Sequence, residues 1–144
     1  MPTQRDGYRI SKSSKDVDLD VVHGFLSTSY WAAGIPREVV ARSIANSLCF
    51  SLLSGNRQVG FARVVTDQAT FAYLADVFII AEESGKGLGK WLIDEIVRDS
   101  RLQGLRRFML ATRDAHELYR KFGFSEMENP DRWMVIHDPD VYKR

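Results

Sequence analysis

Residues 76–92 read DVFIIAEESGKGLGKWL, an apolar strand that runs into a glycine-rich turn and then into an amphipathic helix. Three glycines within the six residues 84–89 let the backbone come close to a ligand, and the first turn of the helix that follows presents unpaired N–H groups at the positive end of its dipole. The segment reads as a cradle for an anion such as pyrophosphate, with a plain glycine-rich surface turn as the alternative. It is not a Walker loop, because Gly89-Lys90 is followed by Trp91 where a magnesium-binding hydroxyl is required. The glycines also lack the spacing of a dinucleotide fingerprint, and the length does not fit its repeated strand-helix-strand unit.

A second signal lies downstream. Residues 115–124, AHELYRKFGF, form a short helix that ends on a glycine able to take the left-handed conformation, with an aromatic leading into what reads as a new strand. The two motifs together resemble the GNAT superfamily of acyl-CoA-dependent N-acetyltransferases. That family carries Gln/Arg-x-x-Gly-x-Gly/Ala at a strand-to-helix turn, matched by Ser84 through Gly89, and a later Ala-x-x-x-Tyr-x-x-x-Gly-Phe, matched by Ala115, Tyr119, Gly123 and Phe124. The resemblance spans about residues 48–125. Ser84 stands where the family usually has Gln or Arg, and Thr112 where many members have Asn; both departures bear on contacts to the cosubstrate.

The resemblance implies one domain over residues 1–144 of α/β (α+β) class. Its sheet would be mixed and mostly antiparallel, with a splayed parallel strand pair and helices on both faces. It implies acetyl-CoA as cosubstrate and no metal. The pantetheine arm would lie along the backbone of Phe78, Ile79 and Ile80, and the pyrophosphate on the amides of Gly85, Lys86, Gly87, Leu88, Gly89 and Lys90, with Thr112 and Tyr119 completing the cosubstrate site. Lys86, Lys90, Arg120 and Lys121 are either phosphate contacts or solvated surface.

The pattern along the chain agrees with that architecture. Tyr8 to Ser11 reads as a first strand, after which Asp16 or Asp18 caps a helix carrying Leu19, Val22, Phe25 and Leu26 at helical spacing. Pro36 suits the start of a second helix with Val39, Val40 and Ile44 on one stripe. Residues 48–53 and 58–66 flank a turn at residues 54–57 and read as a hairpin, continued by residues 71–80. That third strand is apolar on both faces, which predicts a central strand covered twice. A helix from Leu88 to about Gln103 and a strand at residues 107–111 complete a crossover that makes the last strand parallel to residues 71–80. Residues 133–136 read as a closing edge strand.

With 20 basic and 19 acidic side chains the net charge is +1, not the basic field that non-specific nucleic-acid binding requires. The start, MPTQRDGYRI, has no apolar leader and no stretch is long enough to span a membrane, so a soluble cytoplasmic protein is expected. The single cysteine, Cys49, reads as a small buried residue without a pairing histidine.

Acetyl transfer needs an uncharged amine, stabilisation of an oxyanion and a proton for the departing thiolate. By its match to the family tyrosine, Tyr119 would supply that proton; otherwise it packs in a helix-strand interface. Asp76 is the one acid on the apolar strand at residues 71–80, and is either the general base or a structural carboxylate. His116 is a lesser candidate base. Tyr30 and Trp31, in the linker between the first two helices, either recognise the acceptor or belong to the core. The leading function is N-acetyl transfer from acetyl-CoA to a primary amine of a small molecule or peptide, by direct attack in a ternary complex. The alternative is a non-catalytic acyl-CoA sensor. Nucleic acid and membrane are not expected partners; a homodimer is, since the family often pairs through sheet edges or helices.

Overall fold

The structure, a computed structural model, describes residues 4–143. Strands β1 (Gln4–Arg5), β2 (Tyr8–Ser11), β3 (Leu48–Ser54), β4 (Arg57–Thr66), β5 (Phe71–Ile79) and β6 (Arg107–Leu110) form one sheet in sequential order. Every pairing is antiparallel except β5 with β6, which is parallel. The mixed, mostly antiparallel sheet with one parallel pair is the fold class the sequence implies.

Helices lie on both faces. Helix α3 (Leu88–Val97) packs Leu88, Trp91, Leu92, Ile93 and Ile96 on the face made by Phe50, Leu52, Val64, Ala72 and Leu74. Helices α1 (Leu19–Leu26) and α2 (Arg37–Ala45) cover the other face with Val22, Leu26 and Val40 against Cys49, Phe61 and Phe78. The side chain of Asp18 caps α1 by accepting from the amides of Asp20 and Val21. A short helix, α4 (His116–Arg120), follows β6.

Helix α3 is shorter than its apolar pattern predicts. It ends at Val97, and a 3-10 turn at Ser100–Leu102 takes over because the Asp99 carboxylate accepts from the Arg101 amide. Strand β5 departs from simple alternation. Opposite β4 its register shifts between Phe61 and Arg63: one residue of β4 faces Asp76 and Val77 of β5, and Asp76 takes φ +57°. Before this bulge the even positions Ala72 and Leu74 point toward α3; after it the odd positions Val77 and Ile79 do, and Phe78 turns to α1. The strand is also not covered twice along its whole length, because Phe71 and Tyr73 at its start stand open to solvent.

The expected closing strand is absent. Beyond Gly123 the described chain runs irregularly through a 3-10 turn at Pro130–Arg132, and residues 133–136 join no ladder, so β6 is the sheet edge. Phe124 accordingly does not open a strand; it packs edge-on against Phe108 and Tyr119.

Candidate functional site

The parallel ladder between β5 and β6 stops at the pair Leu74–Leu110, while β5 continues to Ile79. β6 ends at Leu110, so β5 runs on past its parallel neighbour, and the bulge at Asp76 bends it there. The Ile80 amide donates to the Val59 carbonyl at 2.9 Å, which makes Gly60–Ile79 a pair whose backbone groups face away from β4. By the same alternation Phe78 spends its backbone groups on Phe61. Of the three residues expected to hold a pantetheine arm, Ile79 therefore keeps free backbone groups. Phe78 is used within the sheet, and Ile80 gives its amide to Val59 and its carbonyl to the Glu83 amide. Gly60 seats Ile79, since a Cβ there would lie 2.7 Å from Ile79 Cδ1.

The glycine turn that follows has the geometry of an anion site. Gly85 and Gly87 have φ of +80° and +76°, values that a side chain resists. Gly87 is the N-cap of α3 with no side-chain cap and no acid in the first turn, so the amides of Leu88, Gly89 and Lys90 are left to an external acceptor. Three cations surround the turn. Lys86 reaches Glu83 at 2.7 Å and the Tyr8 hydroxyl at 3.2 Å, contacts that hold its ammonium above its usual range. Lys90 is exposed and makes no ion pair among the described residues. Arg5 has Nη2 3.8 Å from where a Gly87 Cβ would stand, and its guanidinium lies over Trp91. Nothing in the sequence near the turn points to Arg5, because β1 is two residues long and reaches the loop only through the sheet.

Tyr119 lies on α4, which is positioned by the Thr112 hydroxyl accepting from the Ala115 amide and ended by Gly123 at φ +98°. Thr112 is thus already engaged in starting the tyrosine helix. Burial, and then the neighbouring Tyr30, push the Tyr119 phenol above its ordinary value, and its hydroxyl has no protein hydrogen-bond partner among the described residues. A partly buried phenol that stays protonated is suited to giving a proton to a thiolate. His116 lines the same cavity wall as Tyr119 and Thr112.

Asp76, Trp31 and Tyr30 come together beside it. Arg63 Nε donates to Asp76 Oδ2 at 2.8 Å, and Trp31 Nε1 to Asp76 Oδ1 at 3.0 Å. Trp31 meets Tyr30 edge-on with ring centres 5.1 Å apart, and the Arg113 guanidinium sits 3.9 Å above the Tyr30 ring. Phe25 stacks on Phe78 and closes the aromatic wall from α1. Arg63, on the middle hairpin strand, reads from the sequence as a possible anion contact, and instead pairs with Asp76; Arg113 carries no sequence signal, and the loop after β6 brings it here. Arg37, which at the start of the second helix reads from the sequence as either a contact for an acceptor carboxylate or an exposed arginine, is paired with Asp20, and Arg120 with Glu117 and Glu126. Burial pushes the Cys49 thiol up to about 11, so it is inert as a nucleophile at neutral pH. Among the described residues no group of His, Cys, Asp and Glu could hold a metal ion, and no helix is long and apolar enough to cross a membrane.

A mixed, mostly antiparallel sheet with one parallel pair, an uncapped glycine turn after the strand of that pair and a half-buried tyrosine on the helix after β6 are the architecture of an acetyltransferase fold. The chain belongs to the acetyltransferase (GNAT) family, whose model matches residues 20–124. A crystal structure of a GNAT-family protein from Xanthomonas campestris pv. campestris superposes with TM-score 0.94 at 42% identity, over 98% of this chain and 100% of that one. The Gibberella zeae protein FG08082, which carries an acetyltransferase name, is 31% identical over 140 residues, covering 81% of this chain and 78% of its own. A Clostridium acetobutylicum protein solved with acetyl-CoA shares the fold, with TM-score 0.65 and 15% identity over 90% of this chain and 94% of that one.

Proposed function

We propose that the protein is an acetyl-CoA-dependent N-acetyltransferase acting on a primary amine of a small molecule or peptide, by direct attack in a ternary complex. Two observations support this reading: the uncapped helix start at Gly87, and a half-buried Tyr119 phenol that burial keeps protonated and that has no protein hydrogen-bond partner among the described residues. The pyrophosphate would rest on the amides of Leu88, Gly89 and Lys90, with Lys86, Lys90 and Arg5 supplying positive charge. The outward backbone groups of Ile79, and of Val77 two residues before it, would hold the pantetheine arm as an added strand.

In this reading the amine nitrogen attacks the thioester carbonyl, the tetrahedral intermediate collapses, and the sulfur leaves with a proton from Tyr119. The amine gives up its own proton to a base. Asp76 is the nearest carboxylate to the aromatic wall, but each of its oxygens already accepts a hydrogen bond. It therefore takes the proton through an intervening water, or its part is to fix Trp31. Tyr30 and Trp31 form the acceptor wall, and their faces suit a cation or an apolar ring.

A screen of amine acceptors that reads free CoA thiol tests the proposal. Acceptor-dependent thiol release is the expected result. Tight acetyl-CoA binding with no release for any amine would instead favour a non-catalytic acyl-CoA sensor.

A further inference from the structure

Three arginines come into question for an anionic group on the acceptor, and two of them are already neutralised within the chain. Arg37 pairs with Asp20 at 2.8 Å, and Arg63 with Asp76 at 2.8 Å and with the Ser47 hydroxyl at 3.2 Å. Arg113 differs from both. Its guanidinium lies 3.9 Å from the centre of the Tyr30 ring, and its one ion pair among the described residues is Asp114 at 4.0 Å, with the two side chains 64% and 75% exposed. The backbone beneath it is fixed, because Arg113 stands inside the turn in which the Thr112 hydroxyl accepts from the Ala115 amide. Tyr30 is also the neighbour that, after burial, pushes the Tyr119 phenol up. The same ring therefore adjoins both the available guanidinium and the phenol proposed to protonate the departing sulfur.

We propose that Arg113 determines acceptor specificity by binding a carboxylate, and that the acceptor is a free amino acid with an apolar or aromatic side chain. The inference deepens the N-acetyltransferase reading and rests on it. A guanidinium over an aromatic ring gives up one face and keeps the planar edge of N–H donors that matches a carboxylate. A single fork suits a monoanion: Asp114 beside it and Asp76 at the wall disfavour the second charge of a phosphate, and Arg63 is held by Asp76. An amine one carbon from the carboxylate suits a site in which one ring separates the carboxylate-binding group from Tyr119. For the side chain, Tyr30 and Trp31 meet edge-on and are 57% and 42% exposed, and past Asp76 the same sheet face stays open at Tyr73 and Val65. A peptide N-terminus carries an amide where a free amino acid carries this carboxylate, so Arg113 separates the two.

The test compares free amino acids with their amides and their decarboxylated amines, phenylalanine, phenylalanine amide and phenethylamine being one such set, by acetyl-CoA-dependent thiol release. The wild type should favour the acid over the amide in kcat/KM by at least about tenfold, the size of a lost charge-assisted hydrogen bond, although the amide's amine is the more easily deprotonated. Arg113→Gln, at an exposed position where folding is not at stake, should bring acid and amide within about twofold, and Arg113→Lys should restore only part of the preference because it returns the charge without the fork. Acetyl-CoA affinity by calorimetry should not change in either variant. An amide as good as its acid in the wild type overturns the inference, as does release with other amines but with no free amino acid. A preference that survives Arg113→Gln also overturns it, and a fall in acetyl-CoA affinity would assign Arg113 to the cosubstrate instead. Thiol release with no amine of any kind is a different failure, since it removes the N-acetyltransferase reading together with this one.

Discussion

Arg63 and Asp76 face each other across the bulge in the sheet, guanidinium Nε to carboxylate Oδ2 at 2.8 Å, with side chains only 19% and 10% exposed. Asp76 sits there with a positive φ that a non-glycine residue rarely adopts, and its second oxygen holds the Trp31 indole. One carboxylate thus ties the bulge in β5 to the aromatic wall proposed for the acceptor.

Replacing that carboxylate separates its two readings. Asp76→Asn keeps the shape and the contact to Trp31 but leaves Arg63 without a counter-charge, so a loss of about 1–3 kcal/mol is expected, seen as an earlier thermal melt. Acceptor KM should rise with acetyl-CoA affinity little changed, and the ascending limb of the pH-rate profile should survive. An unchanged melt with that limb abolished would make Asp76 the base.

Tyr119→Phe removes the hydroxyl and keeps the ring packed on Phe124. Turnover should fall by roughly 10²- to 10⁴-fold with acetyl-CoA affinity preserved. Because burial and Tyr30 raise the phenol, the alkaline loss of activity in the wild type should begin above the ordinary tyrosine range and vanish in the variant. A normal rate under conditions where chemistry limits turnover would assign Tyr119 to packing.

Gly87→Val tests the anion cradle. At φ +76° a β-branched residue costs on the order of 1–2 kcal/mol of strain, so the protein should still fold, yet its first-turn amides are displaced and acetyl-CoA binding measured by calorimetry should drop severely. Arg5→Ala leaves the turn intact and should weaken binding in a salt-dependent way, as expected of a charge near phosphates. Unchanged affinity in a folded Gly87→Val protein removes the pyrophosphate assignment.

Acid sensitivity should trace to Asp99. Burial alone would raise its carboxyl, but hydrogen bonds from the Arg101 side chain and amide and from Lys12 hold it well below the usual carboxylate range. A carboxyl lowered by folding stabilises fully above its unfolded value near 4 and loses that contribution as pH falls through the lower folded value. Asp99→Asn should therefore lower stability at neutral pH, read as an earlier melt, by less than the roughly 3–5 kcal/mol of a fully buried pair because Lys12 and Arg101 reach solvent. The difference from wild type should shrink below about pH 4. A constant gap across that range would assign the loss to packing.

The glycine turn, the helix carrying Tyr119 and the hairpin from β3 to β4 were legible in the sequence because each is local. Positive-φ glycines, an uncapped helix start and hydrophobic periods of two and 3.6 residues act over a few neighbours, so residues 84–92 and 115–124 announce their conformation wherever they sit. The arm at residues 133–136 misleads for the same reason, since an apolar run carries strand propensity whether or not an edge receives it.

What only the tertiary structure decided depends on pairings distant in sequence. At the bulge β4 sets one residue against Asp76 and Val77, and the register beyond it turns the backbone groups of Ile79, rather than those of Phe78 or Ile80, away from β4. Arg5 comes near the glycine turn, Arg63 to Asp76 and Arg113 to Tyr30 through sheet register and loop placement, not through any neighbour in the chain. Charges and backbone hydrogen bonds act through space, and the local pattern of a sequence records only the interactions that stay within a turn or two of the chain.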